Sequence, residues 1–217
     1  MIQDQRSQYP VTSHKRLWTG PVFDLDEDYV VVVEGEPAVA RQFLAHTGAV
    51  AVVAYREREG VPEVAFVDQY RHPVQATLWE VPAGLLDVEG EDPLEAAKRE
   101  LWEEADLRAD TWHTLVDYFT TPGASTEGLR IFLARDVHDV PENERFKRSD
   151  EERAMQRVWV PLEEAVAAVH AGRLHNPSAV VGVLATASAR ANGWRSLRDP
   201  QADWFRSPFN REDRTQF

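Results

Sequence analysis

The stretch "EDPLEAAKRELWEEADL", residues 91–107, constrains the fold more than any other part of the chain. Asp92 suits an N-cap, Pro93 suits the first helical position, and Glu95 stands three residues after the cap, the spacing of a capping box. Leu94, Ala97, Leu101 and Ala105 recur at intervals of three and four and predict one apolar stripe. Glu100, Glu103 and Glu104 crowd onto a second face of the same helix, which is expected to lie opposite the stripe. Like charges four apart cost a simple helix about 0.2–0.5 kcal/mol per pair. Either solvent or a divalent cation has to compensate.

The remaining pattern surrounds this helix with strands. Short β-branched and aromatic runs between residues 14 and 46, separated by Gly, Pro and Asp, predict a small antiparallel sheet. "AVAVVAYRE" and "EVAFVDQYRH" flank the turn "REREGVP" and predict a hairpin. "TLWEVPAG" reads as a short strand ended by Pro82 and Gly84, "HTLVDYF" and "GLRIFLARDV" as strands around "TTPGASTE", and "RVWV" as another. Helices are expected from residue 162 to about 171 and, behind Asn176, from 177 to about 190. This order predicts an α/β fold, a mixed sheet between helices, preceded by the small N-terminal sheet. The expected domains are 1–46, an N-terminal sheet serving dimerisation; 47–200, the main domain; and 201–217, a tail whose Trp204, Phe205 and Phe209 suit docking on the body or on a partner.

Composition removes several function classes. The 24 basic residues stand against 37 acidic ones, a field that repels nucleic acid backbones and anionic membranes. No cysteine is present, which excludes disulfides, thiolate metal sites and cysteine nucleophiles and fits a reducing cytoplasm. The first twenty residues lack an apolar leader core, and no apolar run approaches the ~20 residues that span a bilayer. The expectation is a soluble cytoplasmic protein with neither nucleic acid nor membrane as partner.

From Gly84 through Glu91 to "RELWEEADL" the chain resembles the Nudix box: seven residues separate Glu91 from Arg99, and Glu100, Leu101, Glu103, Glu104 and Leu107 then fall at the family's positions. Two departures stand out. Six residues rather than five separate Gly84 from Glu91, and Asp106 stands where the family has Gly. Asp tolerates the left-handed conformation expected at a helix end, and neither departure removes a carboxylate.

The resemblance implies a Nudix fold and hydrolysis of a nucleoside diphosphate linked to another moiety, with Mg²⁺ or alternatively Mn²⁺ as cofactor. Hard cations want oxygen ligands and bridge carboxylates to phosphates. Glu100 and Glu104 are the expected metal ligands, Glu103 binds or orients beside them, and Arg99 holds Glu103. Pro122, fifteen residues beyond Leu107, together with "QYRHP", "LWEVPAGLLD" and "TTPGASTE", resembles the branch that hydrolyses ADP-ribose to AMP and ribose 5-phosphate. That likeness implies further roles. The Ala83 carbonyl coordinates metal, and a loop glutamate, Glu152 or otherwise Glu151, activates water. Arg71, Glu80 and Arg41 contact substrate, Phe23 or Trp18 stacks on adenine, and the chain pairs as a homodimer. Two alternatives stay open: the same chemistry on another nucleoside diphosphate sugar, and a nucleotide-sensing module without catalysis.

Overall fold

The structure is a computed structural model that describes residues 2–148 and 155–206. Near the N-terminus, β1 (Val11–Thr19), β2 (Phe23–Val30) and β3 (Val39–His46) form an antiparallel sheet in that order. Alternation along β2 turns one side inward, and that side is acidic: Asp24, Asp26 and Asp28 are buried. Buried carboxylates need partners. Arg16 supplies two of them, with Nη1 2.9 Å from Asp24 and Nε 3.0 Å from Asp26, and His14 Nδ1 lies 2.6 Å from Asp28. The hydrogen bond to Asp26 raises the Arg16 pKa above its ordinary value, against the pull of burial.

The loop "TTPGASTE" belongs to the same unit because it adds to β3. The Leu44 amide donates to the Ala124 carbonyl at 2.9 Å and the Thr126 amide to the Leu44 carbonyl at 3.0 Å. The His46 amide donates to Thr126 Oγ1 at 2.9 Å. Two compact units result: one contains the chain up to Gly48 together with Phe119–Glu127, the other Ala49–Tyr118 and Gly128–Phe205.

The second unit holds the larger sheet. Its strands are β4 (Ala49–Arg58), β5 (Val61–Arg71), β6 (Ala76–Glu80), β7 (Ala83–Leu85), β8 (Leu107–Phe119), β9 (Gly128–Asp139) and β10 (Arg157–Pro161). The order is β10-β5-β4-β9-β8, with β6 beside β5 and β7 beside β4. β4 and β9 run parallel, whereas β4–β5, β5–β10, β5–β6 and β4–β7 are antiparallel, so the sheet is mixed, as the element order predicts. The hairpin turns at Glu59 and Gly60, both at positive φ (53° and 80°), the two left-handed residues that a tight two-residue loop requires.

Helices cover both faces. Val50, Val52, Ala54 and Phe132 pack with Leu94, Ala97 and Leu101 of α1 (Pro93–Ala105). The alternate residues Ala51, Val53, Ile131 and Leu133 pack against α2 (Leu162–His170) and α3 (Pro177–Ala191). β4 is an unbroken apolar run because both of its faces are covered. Two strand boundaries differ from the sequence expectation. "TLWEVPAG" divides at Val81–Pro82 into β6 and β7, and β8 begins at Leu107, directly after α1. Among the described residues no helix is long and apolar enough to cross a membrane.

Candidate active site

α1 starts as its sequence predicts, with Asp92 Oδ1 accepting from the Leu94 amide at 2.9 Å. Glu95 turns to Lys98 at 2.7 Å. At the other end Asp106 adopts the left-handed conformation (φ 52°, ψ 40°), and its amide donates to the Leu101 and Trp102 carbonyls. The acidic face is not opposite the apolar stripe. Glu100 and Glu104 are 8 % and 7 % exposed, and they continue the row begun by buried Ala96. At 3.6 residues per turn that row lies about 100° around the helix from Ala97, Leu101 and Ala105, beside the stripe rather than opposite it. Two glutamates on an inward face require a protein environment built for them.

Arg99 provides part of it. Its Nε and Nη2 grip the two oxygens of Glu91 at 3.0 and 2.9 Å. Its Nη1 lies 2.5 Å from Glu100 Oε1 and 3.4 Å from Glu103 Oε2. One guanidinium thus gathers three carboxylates. The ion pair with Glu103 is present, but it is the longest of the set. The hydrogen bond from Arg99 holds the Glu91 carboxyl below its ordinary pKa, against burial, and the same bond raises that of Arg99. Glu91 is thus a partner of Arg99 in its own right, a contact that its fixed distance of eight residues ahead of Arg99 signals in the sequence.

β7 supplies the rest. It pairs with β4 so that Ala83 faces Ala51 and Gly84 faces Val50. The Ala83 amide donates to Glu104 Oε2 at 2.9 Å, bringing two of the expected metal-site residues together. Gly84 sits against the other glutamate: a Cβ at this position would overlap the Glu100 carboxyl.

Arg71 and Glu80 are partners of each other. Arg71 Nε and Nη2 donate to Glu80 Oε1 and Oε2 at 2.9 and 2.7 Å, and Glu80 is buried. In the N-terminal unit the Trp18 and Phe23 rings meet at 5.7 Å, tilted by 53°. Trp18 is exposed and folds over Gly20, where a Cβ would collide with its ring. Arg41 lies on β3 opposite Asp28, five ladder positions from Phe23, or about 17 Å along the strand. Its Nη1 donates to the Ala40 carbonyl at 3.0 Å. Glu151 and Glu152 lie outside the described residues.

Among the described residues no three acidic or imidazole groups converge as a finished metal cage; Arg99 and the Ala83 amide hold oxygens of Glu100 and Glu104. The donor set still fits a hard divalent cation: two buried carboxylates one helical turn apart, a backbone strand beside them, and a glycine at position 84 that lets the Glu100 carboxyl pack against that strand.

Residues 45–179 match the family model of the NUDIX domain. Over 92 % of the chain and 93 % of the relative's length, the sequence is 40 % identical to an ADP-ribose pyrophosphatase of Mycobacterium tuberculosis. It is also 32 % identical to an ADP-ribose pyrophosphatase of Bacillus subtilis, over 75 % of the chain and 83 % of that protein. A crystal structure of an ADP compounds hydrolase superposes with a TM-score of 0.70 at 16 % identity, over 88 % of this chain and all of that one, a likeness of fold.

Proposed function

The chain belongs to the Nudix family and is a Nudix hydrolase, and from that premise we propose that it hydrolyses the diphosphate of ADP-ribose to AMP and ribose 5-phosphate with Mg²⁺, or alternatively Mn²⁺. The observation that carries this reading is the buried pair Glu100 and Glu104 beneath Ala83 and Gly84. The two long ADP-ribose pyrophosphatase relatives support the substrate.

Glu100, Glu104 and the Ala83 carbonyl would hold the cation, with Glu103 binding or orienting beside them. A divalent ion there supplies charge neutralisation of the diphosphate and acidifies the attacking water. The remaining work falls to the chain's own groups. Arg99 keeps the glutamates clustered, and Glu152, with Glu151 as the alternative, takes the proton of the water. Glu80 holds the Arg71 guanidinium in a two-pronged grip, and the opposite edge of that guanidinium contacts substrate.

The N-terminal sheet is the proposed dimerisation surface. Val11 and Val39 are exposed on either side of Val30, with which both are paired, and a row of exposed apolar residues favours a protein partner. In this arrangement Arg41 and either Phe23 or Trp18 of one chain contact the adenosine end of substrate held by the other. Light scattering at assay concentration tests the dimer, and a monomer mass would refute it. We place the activity in the cytoplasm, consistent with a cysteine-free chain.

The deciding experiment is a hydrolysis screen of nucleoside diphosphate derivatives with Mg²⁺. ADP-ribose should give the highest kcat/KM. Preference for another nucleoside diphosphate sugar would redirect the substrate, and binding of ADP-ribose without turnover would make the protein a sensor.

A further inference from the structure

Residues 140–148 run along the C-terminal half of α1 and are fastened to it repeatedly. The Val140 amide donates to the Asp106 carbonyl at 2.9 Å. Trp102 Nε1 donates to the Glu144 carbonyl at 3.0 Å, and its ring meets Phe146 edge-on at 5.4 Å. Arg148 then reaches the helix end: Nε donates to the Glu103 carbonyl at 2.8 Å and Nη2 to Asp106 Oδ2 at 2.6 Å. From β10, Arg157 Nη1 donates to the Ala105 carbonyl at 2.7 Å.

The last carbonyls of a helix have no donor within it and form the negative end of its dipole. Two guanidiniums meet both needs here. Glycine at position 106 would adopt the left-handed conformation at no steric cost, so backbone geometry alone does not account for an aspartate. The ion pair with Arg148 does. Asp106 Oδ1 is buried with no hydrogen-bond partner, a cost that the contact through Oδ2 has to offset.

We propose that Asp106 and Arg148 are positioning residues for the metal site: Asp106 aims the Arg148 guanidinium at the Glu103 carbonyl, which closes the last turn of α1 and sets the direction of the Glu103 and Glu104 carboxylates. The inference rests on the reading of Glu100, Glu103 and Glu104 as metal ligands. Helix ends fray, and a last turn free to open would carry Glu104 away from the Ala83 amide while Glu100, a full turn earlier, stayed in place. The clamp thus acts on the spacing between ligands rather than on any one of them.

Mn²⁺ titration of the full chain, followed by the paramagnetic signal of the free ion, tests the clamp without relying on turnover. Asp106→Gly is expected to weaken Mn²⁺ binding by about tenfold, the range for groups that orient ligands, with at most a small fall in melting temperature, because glycine suits this φ and the unpaired Oδ1 is removed together with the ion pair. Arg148→Met should show the same loss, the double variant no more than either single one, and Asp106→Asn should keep most of the affinity, since its amide oxygen still accepts from Arg148. Three results would overturn the clamp alone: Mn²⁺ binding by Asp106→Gly equal to wild type, losses that add in the double variant, or affinity that falls only in step with the melting temperature. A wild-type chain that takes up no Mn²⁺ overturns the metal reading and the clamp with it.

Discussion

Glu100 occupies its position because residue 84 has no side chain: a Cβ on Gly84 would lie inside the Glu100 carboxyl. Gly84→Ala must therefore displace either β7 or the glutamate. Overpacking of this kind costs about 1–3 kcal/mol, and the displacement falls on the proposed metal site. The variant should melt lower and need more Mg²⁺ for half-maximal activity. Unchanged Mg²⁺ dependence, read from initial rates across a metal titration, would show that the close approach is not needed for the reaction.

Glu104→Gln keeps the hydrogen bond from Ala83 but removes a charge from the site. Loss of one group from a preorganised charge-stabilising site costs ~10²-fold or more in rate, so kcat should fall by at least that factor, and a chelator should abolish turnover of the wild type. Full activity in excess chelator would rule out the metal.

For the water, Glu152→Gln should lower kcat by ~10²–10⁴-fold, the span of general-base contributions, with little change in KM, and Glu151→Gln should act more mildly. A dead Glu151 variant beside an active Glu152 variant transfers the role by one residue. Two active variants would place the base elsewhere on the chain.

His113 gives the fold a pH dependence. Burial first, then the Arg135 charge, depress its pKa, while Asp199 pulls partly back, and Nδ1 is buried without a hydrogen-bond partner. The folded protein favours neutral imidazole. Its contribution to stability is complete above the ordinary histidine value of about 6.5 and is lost as pH falls below it, because the unfolded chain then binds a proton that the fold resists. Urea unfolding at about pH 7.5 and about pH 5.5 should show a larger acid loss for wild type than for His113→Gln. Equal losses in the two proteins would remove His113 from the account.

Local signals predicted much of this architecture. Asp92 and Pro93 marked the start of α1, Asn176 and Pro177 that of α3, and the Glu59–Gly60 turn joined two strands whose alternation was visible in the sequence. The grouping of Arg99 with Glu103 was likewise readable from helical spacing. The inward turn of Glu100 and Glu104 was less so, because a helical wheel gives the angle between two rows of side chains but not which of them a strand will cover. That decision lies with β7, held by pairing to β4 more than thirty residues earlier. The attachment of "TTPGASTE" to Leu44 and the hold of Arg148 on Asp106 are contacts between segments far apart in sequence. Such contacts leave no periodic trace in the chain.

Arg99 amounts to a tethered cation resident among Glu91, Glu100 and Glu103. A divalent ion entering that shell, as proposed, would compete with a positive charge already covalently part of the protein, so its uptake would be an exchange of counter-ions rather than the filling of a bare anionic hole. Exchange of that kind would moderate affinity from both directions: the guanidinium would keep the carboxylates from repelling one another apart when no ion is bound, and an ion that left with a phosphate product would give its place back to it.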